Sequence, residues 1–310
     1  MRYFVRRVAQ AFQGSLYART KRGRRTLGRR WLRATNAAAS AKRPARRNWR
    51  LAGISGLTLL ALAGSLPAGA VAAPTVSVVG RAVPIPDFPH TGNFYGAGAA
   101  VHAHITVSGT EYGGFPDPLI GIRVLLPKGV KLNPSAFPTC PIATLEPSGQ
   151  GPSHCPKGSE AGPPGTAEGY VAFGTSIVPE TVRISSFYAP HGGFVFFAYG
   201  HEPVLLEILA HGQLVTDNAG NGFGPEFEGE IPLVETVPGA QDASVKTIDI
   251  TLGSAIRKHG RPVYYGTVPR TCPKGGFKAK AEFKFAVNGS VGDTETVTVP
   301  VTAPCPPGRG

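Results

Sequence analysis

The strongest constraint on this chain is a two-residue rhythm. Beyond position 73, apolar and polar residues alternate in short runs bounded by Gly and Pro, the pattern of strands that bury one face. Val101-His-Ala-His-Ile-Thr-Val107 and Ser244 to Leu252 alternate cleanly. Leu119 to Leu126 reads as a buried strand ended by Pro127-Lys-Gly129. Phe194 to Tyr199 and Val204 to Leu209 are apolar on both faces, as central strands are. Phe277 to Val287 and Thr294 to Val301 read as a final hairpin turning through Asn288-Gly289. One helical turn is expected around Ala143 to Glu146, and no long helical period exists. About ten short strands separated by turn signals predict an all-β fold. The expected architecture is an antiparallel β-sandwich, immunoglobulin-like or jelly-roll-like, built as one large or two small units.

The start of the chain is of another kind. Positions 1–50 hold 16 of the 32 Lys and Arg residues, and no Asp or Glu precedes Asp87. An apolar run follows from Leu51 to Ala73 and ends in small residues, which together make a secretory signal. Cleavage is expected between Ala72 and Ala73, because a cut one residue later would place Pro74 at the first mature position. The remaining 238 residues carry 16 basic and 19 acidic side chains, a net charge of −3. The chain's overall +13 therefore belongs to the leader, and the folded part has no electrostatic case for nucleic acid. An uncut leader would be a membrane anchor, the one route to a membrane, although Pro67 and four glycines weaken it as a helix. Arg46-Arg47-Asn48-Trp49 resembles a twin-arginine signal, but Arg50 and Leu51 depart from its ending, so the export route stays open. The expected organisation is a basic n-region and signal peptide at 1–72, an N-terminal β region at 73–160 and a C-terminal β region at 161–310. The boundary is placed at the Pro/Gly cluster of Ser159 to Gly165. The expected location is secreted or in the cell envelope.

All four cysteines, Cys140, Cys155, Cys272 and Cys305, follow the leader. An even number in an exported chain argues for disulfides, one in each β region. Three pairings are possible. The sequential one is favoured, because Cys140–Cys155 closes a Pro/Gly-rich loop that has little else to order it. In the chain-entropy model the two loops are worth about 3 and about 4 kcal/mol. A four-thiolate metal site lacks any C-x-x-C pair.

Ile122-Arg-Val-Leu-Leu-Pro-Lys-Gly-Val130, Pro138-Thr-Cys-Pro141, Cys155-Pro156, and Val268-Pro-Arg-Thr-Cys-Pro-Lys-Gly-Gly-Phe277 with its closing Cys305-Pro306 resemble secreted β-rich proteins of high-GC Gram-positive bacteria. The resemblance implies export and a disulfide-pinned sandwich, and it implies no catalytic residue. Val215-Thr-Asp-Asn-Ala-Gly-Asn221 is similar to a turn of bacterial immunoglobulin-like adhesion modules.

Two constellations bear on chemistry. His102 and His104, two apart on a strand, face the same way and can reach one metal ion. With Gly96 they are similar to the first metal motif of the cupins (G-x5-H-x-H), but the acidic ligand is missing at its place, Glu111 lying seven residues after His104. The competing reading is the wet face of a strand. Glu226, Glu228 and Glu230 also share a face, and paired carboxylates can bind calcium or flank a glycosidic bond, though a solvated sheet face accounts for them. Beyond the leader no G-x-S-x-G, P-loop or strand-to-helix G-x-G-x-x-G occurs. The expectation is a non-enzymatic exported protein, without cofactor, acting in adhesion or ligand binding. Its partner would be a surface glycan or protein. The alternative is a secreted metal-dependent, cupin-like or carbohydrate-active enzyme using a divalent transition metal at His102 and His104.

Overall fold

The computed structural model describes residues 73–88, 93–173, 175–215 and 222–306. The expected signal peptide at 1–72 and residues 216–221 of the expected adhesion-module-like turn lie outside the described residues. The described residues belong to one unit, Ser65–Gly310. No helix among them is long and apolar enough to cross a membrane.

Among the described residues fifteen strands follow one another: β1 (Thr75–Val83), β2 (Ala100–Ser108), β3 (Leu119–Leu125), β4 (Lys131–Leu132), β5 (Gly165–Phe173), β6 (Ser176–Tyr188), β7 (Phe194–Gly200), β8 (Leu206–Val215), β9 (Glu226–Glu230), β10 (Ser244–Leu252), β11 (Ala255–Lys258), β12 (Arg261–Tyr264), β13 (Gly266–Thr267), β14 (Phe277–Ala286) and β15 (Thr294–Ala303). The one α-helical turn among the described residues, α1 (Ile142–Leu145), falls where the sequence places it. Eleven strands make a single antiparallel sheet in the order β1-β2-β10-β5-β6-β7-β8-β9-β3-β14-β15. β14 and β15 form the expected hairpin. Its turn runs through Asn288 (φ 51°) and Gly289 (φ 76°), the left-handed conformations an Asn-Gly turn supplies at least cost.

The all-β antiparallel class is as the alternation predicts, but the sheet is not divided into two stacked layers. It curls until its edge strands meet. Val76 and Val78 of β1 pack with Val297, Val299 and Val301 of β15, so the sheet nearly closes into a barrel. Alternation fixes which face of a strand is buried. It does not say whether that face meets a second sheet or the far wall of the same one. The regions on either side of position 160 are also interleaved, since β2 pairs with β10, and β3 with β9 and β14.

The expected disulfides form, Cys140–Cys155 and Cys272–Cys305. The first holds a loop carrying α1 against the outside of the barrel, where Cys140 and Leu145 pack with Phe187 and Val195. That cover explains the two apolar faces of β7. Phe194, Phe196 and Ala198 face the interior, while Val195 and Phe197 lie under the loop. The second disulfide ties the segment after β13 to the end of β15, beside Phe94, Val268 and Phe277.

Candidate functional site

Closing eleven strands leaves more room than inward side chains fill when many of them are small. Eight strands give an interior that side chains fill or that holds one small ligand, and the diameter grows with strand number. Here Ala103, Ala167, Ala198, Ala210 and Ala279 take inward positions on five strands. A cavity of about 440 Å³ results. Ile105, Ile248 and Ile250 line one side, and Ile122, Val124 and Phe227 another. The Phe227 ring takes space left by two glycines: a Cβ on Gly212 would lie 2.4 Å from it, and one on Gly229 3.0 Å.

One part of the interior is filled by aromatic rings. Tyr188 and Tyr265 stack with ring centroids 4.1 Å apart, and Phe137 and Phe194 pack on them. Tyr188 Oη is 2.9 Å from Ser254 Oγ and accepts from Ser254 N–H at 3.0 Å. Burial pushes both phenols well above their ordinary range, so they act as hydrogen-bonding groups and not as acids.

The cavity wall includes the charged residues Arg81, Glu168, Glu180 and Glu230, and His211. Four of them are exposed. Glu180 is different, being only 4% exposed. It lies opposite Gly169 of β5, on the same face of β6 as Val178 and Val182. Its Oε2 accepts from Val204 N–H at 3.2 Å, and its Oε1 is buried without a hydrogen bond. Glu180 was not legible in the sequence, because Pro179 beside it breaks the alternation that would show which face turns inward.

His102 and His104 do share a face, and it is the outer one. They sit across from Asp249 of β10, with His102 Nε2 3.2 Å from Oδ1 and His104 Nδ1 3.1 Å from Oδ2. Burial works to raise the Asp249 carboxyl, but hydrogen bonds from His104 and His102, with their charge, bring it below its ordinary range. Among the described residues no group of three or more His, Cys, Asp or Glu side chains is arranged to hold a metal ion. Glu111 lies beyond the end of β2, with its Oε2 buried and without a hydrogen bond. Asp249 was legible as the polar face of an alternating strand. That β10 lies beside β2, 145 residues away, was not.

Glu226, Glu228 and Glu230 likewise share the outer side of β9, and two of them converge on Arg123. Its Nε meets Glu226 and lies 3.2 Å from Glu228, while Nη1 reaches Glu282 at 3.1 Å. Hydrogen bonds to Glu226 and Glu282 hold the guanidinium proton more firmly still. Carboxylates tied to a cation in this way are poorly placed to act as the acid and base of glycoside cleavage.

No protein-family model, curated protein or solved structure matches this chain.

Proposed function

We propose that this is an exported, non-enzymatic binding protein whose barrel interior holds an apolar small molecule. The observation that carries the reading is the 440 Å³ cavity, walled almost wholly by aliphatic and aromatic side chains. Its size lies within the range of sites for drug-sized ligands. Leaving so large an apolar interior without an apolar occupant is unfavourable, because its walls then lose packing contacts or face water. Water is a poor occupant, since each molecule needs two to four polar partners (roughly) that these walls do not offer. An apolar molecule removes the cost and contributes its own burial. The leader and the two disulfides support a place outside the cytoplasm.

The test is saturable binding of a neutral apolar fluorophore to the purified protein, repeated in Ala103→Phe and Ala198→Phe, which fill the interior. Binding near one to one, weakened in both variants, is the expected result. A folded protein that binds no apolar probe, or variants that bind as the wild type does, would end the proposal.

A metal-dependent reading rests on His102 and His104, which share one strand face and pair with Asp249 across from them. It has less support, because these side chains already bond one another on an open sheet face. It requires near-stoichiometric transition metal by elemental mass spectrometry, lost in the His102→Ala/His104→Ala double variant.

A further inference from the structure

We infer that the molecule held in the barrel is an amphiphile with a hydrogen-bond-donating head, an amine, placed against Glu180. This rests on the reading of the interior as a binding site and adds the chemistry of its ligand.

Among the described residues, Glu180 is the one buried charged residue on the cavity wall. Val171, Val182, Ile184, Ala198 and Leu206 make the apolar cluster of this part of the barrel. Among the described residues no Lys, Arg or His pairs with Glu180. The main-chain N–H of Val204 satisfies Oε2, while Oε1 is buried with no donor. A buried acceptor without a donor is unfavourable, and more so for a carboxylate. A glutamine there would keep an acceptor for Val204, so the turn alone does not require an acid. A ligand amine supplies a donor and the opposite charge together, the stronger kind of hydrogen bond. The walls beyond it accept only an apolar body.

The measurement is calorimetric titration of the full chain with decylamine, decanol and decanoate near neutral pH, each below its aggregation range. One charge-assisted hydrogen bond predicts that decylamine binds about 10- to 100-fold tighter than decanol, with decanoate weakest. In Glu180→Gln the preference for amine over alcohol should shrink to about threefold or less. Two results overturn the inference while leaving the binding site standing. One is equal affinity for all three compounds, weakened alike by Ala103→Phe. The other is an amine preference that Glu180→Gln leaves intact. Failure of all three compounds to bind a folded wild-type protein removes the binding site itself, and the head-group assignment with it. Should Glu180→Gln not fold, the wild-type series decides alone, with decyltrimethylammonium as a fourth compound that carries charge without a donor. It must bind at least about tenfold more weakly than decylamine, and equal binding overturns the donor assignment.

Discussion

Gly200 leaves the space that the Glu180 carboxylate occupies. A Cβ built on Gly200 would lie 2.6 Å from Glu180 Oε1 and 2.9 Å from Val182 Cγ1. β6 and β7 are neighbours here, so the missing side chain on one strand and the buried acid on the next are parts of one arrangement.

Gly200→Ala should therefore destabilise the protein, by about 1–3 kcal/mol, as overpacking does in a closed interior. Chemical denaturation of the single variant reads the cost. In a Glu180→Ala background part of that cost should vanish, since one of the two close contacts is gone. Strict additivity of the two substitutions would show that they do not share the space.

The sequence made the strands legible where their alternation was unbroken. β10 runs from Ser244 to Leu252, the span its alternation marks, and β2 and β3 differ from their expected bounds by one residue. β5 and β6 were hidden for a physical reason. Gly169 and Pro179 interrupt the pattern, yet they lie in neighbouring strands, where Pro179 pairs with Tyr170. The barrel itself was not legible, because closure depends on β1 meeting β15 across more than two hundred residues. The candidate site was unreadable for the same reason. Alanines spread over five strands make a cavity only when those strands face one another.

Removing the two disulfides should have different consequences. Cys140–Cys155 fastens an outer loop, and the cluster beneath it includes Val195, which is fully buried. Cys140→Ser/Cys155→Ser should cost about 3 kcal/mol and leave the barrel able to fold. Limited proteolysis should then cut first within 146–153, before any strand. Cys272–Cys305 joins a segment of the barrel's interior cluster to the closing strand β15. Its loss should cost about 4 kcal/mol and loosen the β1–β15 edge, seen as faster hydrogen exchange in β15 than in β7. Faster exchange confined to the outer loop would contradict this assignment.

Arg123→Met should take from Glu226, whose side chain is 3% exposed, the guanidinium that pairs with it. The expected loss is about 2 kcal/mol, that of a charged hydrogen bond, and below the figure for a fully buried pair because Arg123 is itself 38% exposed. Adding Glu226→Gln removes the charge that Arg123 balances and should recover part of the loss. A double variant less stable than the single would show that Arg123 does not chiefly serve to neutralise Glu226.

The outer-face pair should show itself in acid. Asp249 has a folded-state carboxyl held below its ordinary range, so its contribution is complete above the unfolded value of about 4 and disappears as pH falls through the lower folded value. Asp249→Asn should lower stability modestly at pH 6, within about 1 kcal/mol, since the side chain is 45% exposed. The gap between wild type and variant should close as the solution is taken below about pH 4. Thermal melts from pH 3 to pH 7 decide the matter. A gap that widens in acid would have the wrong sign for a carboxylate stabilised by two imidazoles, and would mean that His102 and His104 do not hold Asp249 in its charged form.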